Sequence, residues 1–137
     1  MKNKAFTLLE LLVVIGIIGV LMALATVAYS TAHIGGRNAR RKQDLIAIQN
    51  ALEQYYSVNS FLYPAATCKD ASSYMKSAWP VDPNTGVDYA GVMACTTTSY
   101  CICATMEGSK GGNANATSCL SGTWTANSTY YCVANLQ

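Results

Sequence analysis

Between Phe6 and Tyr29 the chain reads FTLLELLVVIGIIGVLMALATVAY, and Glu10 is its only ionisable side chain before the closing tyrosine. As a helix this run would reach about 36 Å, enough to cross the hydrocarbon of a bilayer. A different pattern follows in RNARRKQDLIAIQNALEQYYSV. There Leu45, Ile48, Leu52 and Tyr55 recur at three- and four-residue steps, with Ile46 and Tyr56 beside them. That spacing predicts an amphipathic helix over about 37–60 with one apolar stripe, ended by Asn59-Ser60 and then Pro64. The two helices can form one rod, and Gly35-Gly36 is the place for a bend or fray between them.

After Pro64 the periodicity changes. Ser72–Ala78 predicts a short helix, and Pro80, Asp82-Pro83-Asn84 and Gly86 predict a turn. Runs rich in β-branched, aromatic and cysteine residues predict strands at Val87–Met93, Ser99–Met106, Gly122–Thr125 and Thr129–Val133. Residues 107–118 (EGSKGGNANATS) read as a flexible loop. The expected architecture is α+β: a long N-terminal helix, apolar in its first half, and a small antiparallel sheet packed on its second half. No internal repeat is apparent.

Composition sharpens this picture. Only 12% of the 137 residues are charged, chiefly because of the apolar run. All six cysteines (Cys68, Cys95, Cys101, Cys103, Cys119 and Cys132) lie beyond it, where a thin core gains from cross-links. Beside a membrane signal they read as a disulfide framework of an oxidising compartment. Zinc fits less well: there is no C-x-x-C, and the one histidine, His33, is far from the cysteines. Cys101 and Cys103 share one face of a strand, so each needs another partner, and sequence does not choose among the fifteen pairings. No histidine near the cysteines and no acid–base set suggests catalysis. Of nine lysines and arginines, Lys2 and Lys4 precede the apolar run, and without them the balance against seven acidic residues is even. Near-neutrality suits self-association better than nucleic-acid binding.

Glu10 stands out. A carboxylate in a membrane-spanning run costs several kcal/mol unless it is partnered or near an interface. One reading has it reach the headgroups from the first turn, although its side chain is short for that. The other gives it a partner within a hydrophobic assembly. The stretch KAFTLLELLVVIGIIGVLMALA resembles the class III signal of type IV prepilins and of type II secretion pseudopilins: a short basic leader, a small residue, then Phe-Thr-Leu-Leu-Glu and an unbroken apolar run. The likeness continues into YYSVNSFLYP and ends at DPNTGVDY, similar to the Asp-Pro-x-x-Gly-x-x-Tyr turn that precedes the sheet in that family. Two positions depart from it: Ala5 stands where glycine is usual, and the apolar run has no proline, only Gly16 and Gly19.

The resemblance implies a pilin-like fold with a leader (1–5), a membrane and filament-core helix (6–29) and an extracytoplasmic domain (30–137). It implies cleavage between Ala5 and Phe6 by a membrane prepilin peptidase and N-methylation of Phe6. It implies that Glu10 meets the N-terminal amine of an adjacent copy, which sets axial register. The precursor would sit singly across the cytoplasmic membrane, in lipid, before membrane assembly machinery builds it into a homo-oligomeric surface filament for adhesion, motility or DNA uptake. A secretion pseudopilin is the alternative. Pilins also suggest a Cys119–Cys132 bridge closing the C-terminal loop.

Other features keep two readings each. Ala23-Leu24-Ala25 after Lys2 and Lys4 also fits an ordinary secretory signal, which would make the remainder a secreted disulfide-rich binding domain. The cluster Arg37–Lys42 is either a solvated helix face or a surface for anionic lipid or DNA, and by the positive-inside rule it favours the opposite orientation. Asp82, Asn84 and Asp88 are candidate calcium ligands, or the first of them opens a turn with Pro83 second and Gly86 closing it. Tyr55, Tyr56, Phe61, Tyr63, Tyr130 and Tyr131 are helix–sheet core or a contact surface. Asn115 and Asn127 begin N-glycosylation patterns, which mark surface loops.

Overall fold

The computed structural model describes residues 6–89, 94–115, 119 and 124–137. It contains one long helix, α1 (Leu8–Val58), 3-10 turns at Cys68–Tyr74 and Glu107–Ser109, and five strands. The strands are β1 (Ala94–Cys95), β2 (Tyr100–Thr105), β3 (Gly112–Ala114), β4 (Trp124–Ser128) and β5 (Tyr130–Ala134). The chain divides into two compact units between Gly35 and Gly36. Both glycines are helical, so the fray expected there does not occur.

In the second unit the stripe forms as the periodicity requires. Leu45, Ile48 and Leu52 are fully buried, Ala51 joins them, and Ile46 stays exposed. The helix stops because the chain turns left-handed at Ser60 (φ 57°) and Phe61 (φ 59°), where the Phe61 N–H reaches back to the Tyr56 carbonyl at 3.1 Å. The first 3-10 turn comes at Cys68–Tyr74, earlier than Ser72–Ala78, because the Thr67 hydroxyl accepts from the Lys69 N–H and starts it there.

All pairings in the sheet are antiparallel, in the order β1-β2-β5-β3-β4. The inner strand β2 alternates with period two. Tyr100, Ile102 and Ala104 enter the core with Leu45, Ile48, Leu52 and Val133. Cys101 and Cys103 face the other way, into a second small cluster with Ala114 and Cys132. Both faces of β2 are therefore buried, one by α1 and the other by sulfur.

Two strand expectations are corrected. The stretch read as a flexible loop at 107–118 contains a 3-10 turn and β3. Gly112 lets β3 approach β5 closely: an added Cβ would lie 2.0 Å from the Tyr130 carbonyl oxygen. The stretch Val87–Met93 does not form the strand as drawn. Val87 and Asp88 belong to the turn closed by the Val81–Asp88 bridge, residues 90–93 lie outside the described residues, and the strand starts at Ala94. β4 begins at Trp124, while residues 122–123 of the run predicted there also lie outside the described residues.

A buried arginine ties α1 to the rest of this unit. Arg41 lies one turn before Leu45 and is 2% exposed. Its Nε meets Asp82 Oδ2 at 2.6 Å, its Nη2 meets Asp82 Oδ1 at 3.1 Å, and its Nη1 meets Glu107 Oε1 at 2.7 Å. Arg37 also holds Glu107, with its Nε 2.8 Å from Oε1. Asn38 closes the group, donating to the Glu107 carbonyl at 2.9 Å and accepting the Glu107 N–H at 2.9 Å. Further along α1, Glu53 accepts the hydroxyls of buried Tyr63 (3.0 Å) and Tyr100 (2.8 Å) and the Leu136 N–H (3.1 Å). Burial, and then the bond to Glu53, push both phenols above their ordinary range.

Removing Arg41 while keeping its length of hydrocarbon leaves two largely buried carboxylates short of a partner. Arg41→Met is expected to destabilise the full-length chain in detergent by about 3 kcal/mol, lowering its melting temperature by roughly 10 °C or more. Arg41→Lys, which keeps the charge without the planar fork, should fall between the two. Acid is expected to act on the same contacts. Hydrogen bonding to Arg41 holds Asp82 well below the usual carboxylate range, and bonding to Arg37 first and then Arg41 holds Glu107 at about 2. Depressed carboxylates stabilise the fold wherever they are ionised, so stability is full above the ordinary carboxylate range of about 4 and is lost as pH falls toward about 2. Asp44 has the opposite sign, since burial raises it, but it does not contact the arginine fork. Thermal melts from pH 7 to pH 2 should show the loss, with its acid limb displaced upward in Arg41→Met.

Candidate functional site

The sequence places its main functional expectations at the start of α1. Phe6 and Thr7 precede the helix, and Thr7 and Glu10 close on one another. The Thr7 N–H donates to Glu10 Oε2 at 2.9 Å, the Thr7 hydroxyl donates to the same oxygen at 2.8 Å, and the Glu10 N–H points to Thr7 Oγ1 at 3.2 Å. This is a capping box, in which the threonine and the glutamate three residues on satisfy each other's terminal N–H groups. Thr7-Leu8-Leu9-Glu10 carries that signature openly, yet the sequence reading weighed Glu10 only as a group reaching for headgroups or for a neighbouring chain. The local role was legible and was missed.

Between residues 11 and 25 the helix carries no polar side chain. Leu8, Leu9, Leu12, Ile15, Val20, Leu21 and Leu24 are all between 60% and 87% exposed. The most apolar 18-residue window of α1 has a mean hydropathy of 2.8, and the helix is long and apolar enough to cross a membrane. Its hydroxyls are turned inward: Thr26 bonds the Ala23 carbonyl at 2.9 Å and Thr31 the Val27 carbonyl at 3.2 Å. Side-chain oxygens satisfied by the helix itself leave a surface that hydrocarbon or another helix can cover without stranding a polar group. Gly16 lowers that surface locally, forming a shallow groove with Leu12, Val13, Ile17, Val20 and Leu21. Nothing lies within 4 Å of a Cβ added at Gly16 or Gly19.

The other candidate residues meet different fates. Asp82, Asn84 and Asp88 lie around one turn. Asp82 Oδ1 accepts the N–H groups of Asn84 (2.9 Å) and Thr85 (3.0 Å), the Gly86 N–H returns to the Asp82 carbonyl at 2.8 Å, and Gly86 has φ +68°. This is the reading with Pro83 second and Gly86 closing. The cations that meet the two aspartates are side chains: Arg41 on Asp82 and Lys69 on Asp88. Both oxygens of Asp82 are engaged. The basic cluster is divided in the same way. Arg37 and Arg41 are drawn against Glu107 and Asp82, Lys42 lies over the Tyr131 ring at 5.3 Å, and Arg40 is exposed. The solvated-face reading therefore fails at Arg41, because its acidic partners are more than forty residues away and leave no local mark in the sequence.

The six cysteines form Cys68–Cys95, Cys101–Cys119 and Cys103–Cys132. The suggested Cys119–Cys132 bridge is overturned by strand register. Cys103 and Cys132 are direct partners across β2 and β5, with Cα atoms 4.0 Å apart, so Cys132 is already taken. Cys101, two residues earlier on the same face, then pairs with Cys119. The aromatic group divides too. Tyr63 is core, stacked on Tyr56 at 4.5 Å and edge-on to Tyr100 at 4.9 Å, whereas Phe61 is 69% exposed. Asn115 and Asn127 are both exposed.

The comparisons bear on the N-terminal segment alone. No curated protein and no solved structure matches the chain. Residues 1–26 match the family model of the prokaryotic N-terminal methylation motif. That motif is the class III signal of type IV pilins and pseudopilins, and it supports reading the chain as a precursor of that pilin-like kind.

Proposed function

We propose that this chain is the structural subunit of a type IV pilus-like surface filament. The observation that carries the reading is the methylation motif lying on a helix whose apolar side chains are exposed all round, with one carboxylate in its first turn. Such a helix is stable in lipid or among copies of itself and in neither case in water. In this reading the prepilin is held singly in the cytoplasmic membrane and cut between Ala5 and Phe6 by a prepilin peptidase. The new Phe6 amine is methylated, and assembly machinery then moves the helix from lipid into a bundle of identical helices. Glu10 there meets the amine of an adjacent copy. The Thr7–Glu10 cap does not compete with this. A helix cap is worth about 1 kcal/mol, whereas an ion held in a low-dielectric interior costs several, so a cationic partner adds more than the cap can supply.

The domain beyond Gly35 fits an oxidising exterior, with three disulfides and a core closed on both faces of β2. A pseudopilin of a secretion system is the second reading, and the Asp82–Tyr89 turn, which resembles one shared by pseudopilins and many pilins, suits both. Long fibres in sheared surface material separate the two. Mass spectrometry of the mature subunit is expected to find N-methylated Phe6 at its start, and a start near Thr26 would show an ordinary secretory signal instead. Glu10→Ala is expected to cut filament yield at least tenfold while precursor in the membrane stays at its normal level. Normal filaments from that variant would remove the register role of Glu10.

A further inference from the structure

Two disulfides on the outer face of β2 lie side by side. Cys101 Sγ is 3.8 Å from Cys103 Sγ, although the two atoms belong to different bridges, and the sulfurs of Cys101, Cys103 and Cys119 all lie within 4.8 Å of one another. Access to the group is unequal. Cys101 (3% exposed), Cys103 (0%) and Cys132 (1%) are buried, while Cys119 is partly exposed. The Cys119 N–H points at Cys101 Sγ at 2.7 Å. Thiol–disulfide exchange needs an accessible sulfur to attack and a stabilised thiolate to leave. This site has both: Cys119 is the sulfur that can be reached, and the Cys119 N–H is placed to stabilise the Cys101 sulfur that departs.

We propose that Cys119 is a site of thiol exchange, with an aliphatic thiolate as its reactant, and that attack there passes on to the buried Cys103–Cys132 bridge. In the first step the incoming thiolate bonds to Cys119 Sγ, the Cys101–Cys119 bond breaks, and its electron pair leaves with Cys101. In the second, the Cys101 thiolate attacks Cys103 Sγ, the Cys103–Cys132 bond breaks, and Cys132 becomes the thiolate. Residues two apart on a strand have Cα atoms about 6.7 Å apart, at the limit of what a disulfide spans, so the Cys101–Cys103 bond is transient. When the reactant is a dithiol, its second sulfur releases Cys119 and closes the reagent into a cyclic disulfide. The Cys119 thiolate then attacks Cys103, forms Cys103–Cys119 and returns Cys101 to the thiolate. One encounter at the loop thus opens the staple between β2 and β5, which no outside thiol reaches directly. This inference does not depend on the filament reading.

The test uses the full-length chain in detergent under native conditions. With glutathione, the mixed disulfide is expected on Cys119, and an adduct found instead on Cys101, Cys103 or Cys132 overturns the proposal. With limiting dithiothreitol, trapping by iodoacetamide and non-reducing peptide mapping should show alkylated Cys132 together with a Cys101–Cys103 or Cys103–Cys119 link. Opening of Cys101–Cys119 with Cys103–Cys132 intact throughout overturns the relay. In the Cys101→Ser/Cys119→Ser double variant the remaining bridge should survive the same dithiothreitol at least tenfold longer, and an unchanged rate also overturns it. Should that variant fail to fold, the wild-type peptide map decides alone.

Discussion

A helix that exposes apolar side chains on every side from Phe6 to Tyr29 has to be covered, and the remainder of the chain is arranged consistently with that constraint. Water is the one solvent it cannot use. The hydroxyls of Thr26 and Thr31 bond back to helix carbonyls, so a cover does not strand them. The first-turn cap at Thr7 and Glu10 satisfies the N–H groups that any helix start exposes. Lipid and a bundle of like helices are both adequate covers for the apolar surface, and Glu10 distinguishes them. Near a membrane surface its charge can be hydrated. Inside a bundle, as in the proposed filament, it would need a cation, which lipid hydrocarbon does not supply.

The domain from Gly36 onward solves a different problem, how a thin core fixes a helix to a five-stranded sheet. The apolar stripe alone gives contact without register. Arg41 extends the stripe by one turn and carries a rigid fork, so it meets Asp82 from the turn and Glu107 from the β2–β3 connection at once. Glu53 does the same three turns on, collecting Tyr63, Tyr100 and the Leu136 amide. Buried charges seldom improve stability over apolar residues of like volume, but they discriminate strongly between one arrangement and its neighbours. Two such points on one helix fix both its rotation and its axial position against the sheet.

What sequence could reveal follows from the range of each interaction. The stripe Leu45, Ile48, Leu52 was legible because helical periodicity is local, and β2 and β5 were legible because their runs of β-branched, aromatic and cysteine residues are local too. The Thr7–Glu10 cap was equally local and lay in plain view as T-x-x-E, but the oddity of an acid in an apolar run drew the reading toward distant partners. Arg41 was legible only in part. It stands four residues before Leu45 on the same stripe, but the carboxylates that match its charge there, Asp82 and Glu107, come from forty to seventy positions away. β3 was hidden by composition: Gly111-Gly112 signals a loop, while here Gly112 is what permits close approach to Tyr130.

The cysteines show how much a single register choice settles. Once β2 and β5 pair so that Cys103 faces Cys132, the alternation of the strand puts Cys101 on the same face opposite Ala134, with no sulfur across from it. Its partner must then come from the connection that follows β3, and Cys119 lies there. Fixing Cys103–Cys132 leaves three of the fifteen pairings, and because Cys68 and Cys95 lie in the core on the α1 side while Cys101 and Cys119 share the other cluster, one of the three remains. The same geometry that fixes the pairing also brings the two bridges to 3.8 Å, so their coupling follows from placing C-x-C on a central strand. A single residue of slip would send both sulfurs to the α1 side and Ile102 to the outer face, exchanging the two cores. The disulfides therefore record the register, and for as long as they stay closed they hold it.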